Sequence, residues 1–141
     1  MELFSTFDVA RIFQIDRTRL QEWIDQGYVR PYKKARGKGT KALFTREDLY
    51  RLRLFYWFLK TGKSRFEASV DSNINFHNVG PEEEKFKYAL FVSEIAPKGA
   101  LFMGRTEMLQ KLPELQPRET DLMFCVVNLL AVKKEVNDLI E

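Results

Sequence analysis

A mainly α fold with a small β contribution is predicted by three features of this 141-residue chain. Hydroxyl or carboxylate caps stand at Ser5, Asp16, Thr45 and Ser64, each just ahead of a short run of helical periodicity. A basic segment pointed by Gly37 and Gly39 separates the second of these runs from the third. Beyond residue 84 the apolar pattern shortens to period two before a last helical stretch. The order reads as a winged helix-turn-helix, then a small α+β region ending in a dimerisation helix.

Ser5-Thr6-Phe7-Asp8 supplies a hydroxyl cap and a first-turn carboxylate. Val9, Ile12 and Phe13 then share one face, with Ala10 small enough for close helix contact. Gln14-Ile15-Asp16 turns the chain, and Asp16 caps a second helix from Arg17 to about Gln26. Leu20, Trp23 and Ile24 bury from it and Gly27 ends it. Arg17, Thr18, Gln21 and Glu22 are left on the outer, N-terminal face. They are either solvated polar positions or residues that read base edges, since Arg suits guanine and Gln adenine.

Charge is divided unevenly. Residues 1–69 hold 15 Lys+Arg against 8 Asp+Glu, a net of +7, whereas residues 70–141 hold 8 against 12, a net of −4. Between Asp25 and Glu47 there is no acid and there are seven bases. Pro31 stops any helix, and Tyr32 to Phe44 reads as a hairpin with Leu43 and Phe44 anchoring its return. Lys33, Lys34, Arg36, Lys38 and Lys41 then face outward. Such a run is either a solvated loop or a finger that releases counterions from a polyanion. Thr45, with Asp48 three residues on, opens a third helix carrying Leu49, Leu52, Phe55, Tyr56 and Leu59, and Gly62 stops it. Ser64 and Glu67 repeat the cap spacing for a fourth helix bearing Phe66.

Four stretches carry a family resemblance: Phe7-Asp8-Val9-Ala10-Arg11-Ile12-Phe13, Thr18-Arg19-Leu20, Gly27-Tyr28-Val29-Arg30-Pro31, and Phe44 through Arg53. Residues 5–69 resemble the DNA-binding domain of the mercury-resistance-regulator (MerR) family. The resemblance implies a sequence-specific, dimeric transcription regulator, with the second helix in the major groove and the wing along phosphates. The DNA-binding set is then Arg17, Thr18, Arg19, Gln21 and Glu22 on the helix, with Lys33, Lys34, Arg36, Lys38 and Lys41 on the wing. Three departures stand out. Gln21 replaces a usual arginine, Trp23 a usual tyrosine, and Ala42 a usual basic residue. They leave an excisionase-like or architectural accessory protein, or a protein-interaction module on the same fold, as alternative readings.

Taking the DNA-binding domain as residues 1–70, residues 71–84 read as a linker and 85–117 as a strand hairpin plus a short helix. Phe86, Tyr88, Leu90 and Val92 alternate with Lys85, Lys87 and Ala89, Pro97-Lys98-Gly99 turns, and Ala100 to Met103 returns. A helix begins at Thr106 and breaks at Pro113. The segment 118–141 reads as a final helix. Leu122, Cys125, Leu129, Val132, Val136 and Leu139 recur at 3-4-3-4-3 spacing, the seam of a coiled coil and of a homodimer. Phe124, Val126 and Leu130 broaden that surface, which also suits a helix packed on its own domain.

Other classes find little support. One cysteine allows no intramolecular disulfide, and His77 and Cys125 sit in unrelated contexts, so neither metal nor cofactor is expected. There is no phosphate-binding glycine loop and no recognisable catalytic acid pair, so no enzyme is expected. No apolar run reaches the roughly 18 residues that would span a bilayer, and the start lacks a secretory pattern. A cytoplasmic protein with double-stranded DNA as partner, no membrane association and no identified effector is the expectation.

Overall fold

Four caps start the helices where the sequence places them. In the computed structural model the described residues are 1–93, 100–104 and 123–141. They fall into two units, Met1–Ile74 with Lys134–Glu141, and Asn75–Lys133. In the first, the Ser5 hydroxyl accepts from the Asp8 N–H at 3.2 Å, and the Asp8 carboxylate accepts from the Ser5 N–H at 2.9 Å. This reciprocal box begins α1 (Thr6–Phe13). Gln14 turns out of it with φ of 54°, and Ile15 buries in the turn. Asp16 caps α2 (Arg17–Asp25) by accepting from the Arg19 N–H at 3.1 Å. Thr45 and Asp48 form a second reciprocal box for α3 (Arg46–Lys60), and Ser64 caps α4 (Arg65–Ser72).

The core of this unit gathers on α3. Leu49, Leu52, Leu54, Phe55 and Phe58 are buried there, whereas Tyr56 and Leu59 are only half-buried. Trp23 comes in from α2 and meets Phe55 edge-on at 5.2 Å between ring centroids. A two-stranded sheet, which the sequence did not signal, joins β1 (Phe4–Ser5) antiparallel to β2 (Leu43–Phe44). It seats Phe44 fully in the core and ties the return of the basic hairpin to the start of the chain.

The second unit holds an antiparallel sheet in the order β4-β3-β5. Its strands are β3 (Tyr88–Ser93), β4 (Ala100–Met103) and β5 (Met123–Asn128). Tyr88 opposes Met103 on one side and Asn128 on the other. The stretch 71–84, expected as a linker, is folded: α4 runs to Ser72, and Ile74, Phe76 and Val79 are buried. Lysine ammoniums bond two of its carbonyls, Lys85 donating to that of His77 and Lys87 to that of Glu82. The expected helix over 106–112 and the turn at 97–99 lie outside the described residues.

The final helix is shorter than expected. Residues 123–128 are strand β5, and α5 starts at Leu129 and ends at Ile140. The reason is local: Asn128 accepts from the Ala131 N–H at 3.1 Å, a helix cap in the middle of the expected seam. A continuous coiled-coil seam therefore does not form. Leu122 lies outside the described residues, Cys125 is in β5, Leu129 and Val136 are fully buried, Val132 is half-buried and Leu139 is exposed.

Residues 134–140 of α5 pack within the first unit, against α3. Asn137 accepts from Arg46 at 3.0 Å and from the Tyr50 hydroxyl at 2.8 Å, and Arg53 pairs with Glu135. Arg46 also pairs with Glu2 at 2.6 Å.

Asn137→Ala is expected to cost about 1–3 kcal/mol in chemical denaturation, because the buried Tyr50 hydroxyl and Arg46 lose their shared acceptor. The Ser5 hydrogen bonds, backbone first and hydroxyl second, hold the Asp8 carboxyl below its ordinary value of 3.8. Its contribution to stability is thus complete above that value and is lost as pH falls through the lower folded value. Asp8→Asn should remove this part of the acid limb in urea titrations repeated across pH.

Candidate nucleic-acid interface

The start of the wing is built on one carboxylate. Asp48 Oδ2 accepts from the Thr45 N–H at 2.9 Å as a helix cap and from the Tyr32 N–H at 3.1 Å, where the hairpin departs. Its Oδ1 accepts from Arg51 at 3.0 Å. One residue on, Lys33 and Leu43 exchange both backbone hydrogen bonds, at 3.0 and 2.9 Å, and close the base of the hairpin. At the tip the Thr40 hydroxyl accepts from the Arg36 N–H at 2.6 Å and donates to the Gly37 carbonyl at 2.8 Å. Gly37 and Gly39 take φ of 94° and 86°, the left-handed region that glycine enters without a Cβ penalty. The loop from 32 to 41 is exposed throughout.

On α2, burial of Leu20 and Trp23 fixes the opposite face outward. Arg17, Thr18, Gln21 and Glu22 from that face meet Lys34 and Lys41 of the wing along one open cleft. Ser5, Thr6 and Phe7 at the start of α1 form its end, and Thr40 joins from the wing tip. The Arg17 guanidinium lies over the Phe7 ring at 5.7 Å. Gln21 donates through Nε2 to Asp25 at 2.9 Å, which orients its amide along the helix. Three cations (Arg17, Lys34, Lys41) face two acids (Glu22, Asp25) in the cleft, and Lys33, Arg36 and Lys38 add positive charge elsewhere on the exposed wing.

Not every expected contact residue lies here. Arg19 is exposed but does not line the cleft: its guanidinium rests on the Trp23 ring at 4.9 Å, on the other side of α2. Lys33, Arg36 and Lys38 stand on the wing outside the cleft lining. Phe7 is a cleft residue that the sequence reading used only as part of a motif. Its signal was available, for it falls off the apolar stripe of α1 that Val9 and Ile12 share. A second, smaller cavity of about 190 Å³ lies between the Tyr28–Arg30 turn, α3 and α4, with Leu52 and Phe55 on its wall.

Among the described residues no group of three or more His, Cys, Asp and Glu is placed to hold a metal ion. Nor is any helix among them long and apolar enough to cross a membrane.

Two capped helices in a tight turn, followed by a cationic hairpin beside the exposed face of the second, define a winged helix-turn-helix domain. The family described as MerR HTH family regulatory protein matches residues 4–67, so this part of the chain is a MerR-family helix-turn-helix domain. At family level that makes it a DNA-binding domain of transcription regulation. No curated protein matches the chain.

Asp48→Ala removes a cap, the Tyr32 anchor and an Arg51 partner together. The expected outcome is a loss of about 1–3 kcal/mol in urea denaturation, in the range of one buried charged hydrogen-bond network. Limited trypsin digestion should then cut first between Lys33 and Lys41.

Proposed function

We propose that the chain binds double-stranded DNA sequence-specifically as a dimeric, MerR-like transcription regulator. The α2 N-terminus enters the major groove and the wing follows the phosphates. The observation that carries this reading is the shared cleft: Arg17, Thr18, Gln21 and Glu22 open to the same side as Lys34 and Lys41. Arg17 supplies a bidentate fork for guanine, and Gln21 an amide for adenine once it is released from Asp25. The lysines neutralise phosphates and set the salt dependence. Domain roles follow: residues 1–70 bind DNA, and the region beyond carries effector or partner functions. A two-fold site requires two copies, and these would associate through surfaces other than Leu129 and Val136, which are already covered.

A second reading, an architectural accessory protein of the excisionase kind, is favoured by one observation. The end of α5 is engaged within the chain, where Asn137 accepts from Tyr50 and Arg46. Selection of bound sequences from a random duplex library, followed by light scattering on the selected site, separates the two. The regulator reading expects a two-fold site holding two copies. Affinity for selected duplex no higher than for random duplex at matched salt would overturn it.

Variants sort the contacts. Lys34→Ala and Lys41→Ala should each weaken binding to all duplexes and flatten the log–log salt slope by about one. Arg17→Ala should relax preference at one base pair, a loss of about 1–3 kcal/mol on the selected site, read by competition titration.

A further inference from the structure

Phe7 is an aromatic ring that the fold does not use. It sits in the first turn of α1, yet 57% of it is exposed, while Val9 and Ala10 beside it are buried. Its face carries the Arg17 guanidinium at 5.7 Å, and it lines the end of the cleft next to Thr6. A ring kept in solvent at the edge of a cationic groove offers apolar area to whatever enters.

From this we infer that Phe7 is a base-reading residue that recognises thymine through its 5-methyl group. The inference rests on the proposed DNA-binding mode and adds a specificity element to it. If α2 presents Arg17 and Thr18 to the base edges of a major groove, Phe7 faces the base pair beside the one that Arg17 contacts. In that groove the other bases are read mainly through hydrogen-bond donors and acceptors, and the thymine methyl is the largest apolar feature. A phenyl ring has no hydrogen-bonding group for the other three bases, but it buries against a methyl. The same ring steers Arg17, because a guanidinium held over an aromatic face gives up orientational freedom before the DNA arrives. Phe7 thus pairs an apolar reading of thymine with a preset arginine fork for its neighbour.

The test is a methyl scan of the selected duplex. Each thymine is replaced singly by deoxyuridine, which removes the 5-methyl alone, and affinity is measured for the wild-type protein and for Phe7→Ala. At one thymine per half-site the replacement should weaken wild-type binding about four-fold, the worth of one buried methyl-sized group. Phe7→Ala should bind more weakly overall and no longer distinguish the two bases at that position, while its response elsewhere is unchanged. Circular dichroism checks the fold, and Phe7→Gln makes the same comparison if the alanine variant unfolds. A selected site at which no methyl effect depends on Phe7 would overturn this inference and leave the DNA-binding reading standing. A uniform loss across all sequences in Phe7→Ala, with the methyl effects intact, would overturn it too. Failure of the wild-type protein to prefer any sequence would overturn both.

Discussion

The contact on which the N-terminal unit depends is the edge-on meeting of Trp23 with Phe55. Trp23 is 1% exposed and brings α2 against the middle of α3. A helix of nine residues has little stability of its own, so its orientation is set by what it buries. With Leu20 and Trp23 committed inward, the period of the helix leaves Arg17, Thr18, Gln21 and Glu22 on the other side. Among the described residues the indole N–H has no hydrogen-bond partner. Desolvating it costs about 1–3 kcal/mol, and the large apolar ring that comes with it offsets that cost. Arg19 covers the outer side of the same ring, which explains why it is drawn away from the cleft.

A second constraint acts at the far side of α3. Its first residue, Arg46, bridges Glu2 near the chain start and Asn137 near the chain end. The hydrogen bond to Glu2 holds the guanidinium even more firmly protonated than usual. Glu2 and Asn137, distant in the chain, thus converge on one helix N-terminus, adjoining the two-stranded sheet from which the wing emerges.

Much of the N-terminal half could be read from residues alone because its signals are local. A cap such as Thr45 with Asp48 states a helix start within four residues, and Gly37 and Gly39 state a tip. The one-turn spacing of Leu20 and Trp23 was enough to assign the outward face. What escaped was set by partners distant in sequence. The Phe4–Ser5 strand exists because Leu43 and Phe44 lie beside it, and the stacking of Arg19 on Trp23 is likewise a tertiary fact. The C-terminal misreading has a different origin. Met123 to Val127 is apolar at every position, a pattern that a doubly covered strand and a buried helix share. The 3-4 spacing of Leu122, Cys125 and Leu129 then favoured the helix. Asn128, a good cap, was the residue that argued otherwise.

The finger between Lys33 and Leu43 closes on itself. Thr40 and Gly37 close the tip on themselves, and among the described residues the hydrogen bonds of Tyr32, Lys33 and Leu43 join it to the scaffold. Residues 34 to 41 between those attachment points are solvent-facing, and Ala42 beside the joint is buried. The segment is in effect an interchangeable part: its length and charge can drift over evolutionary time, or be swapped by design, while the platform beneath it keeps its shape.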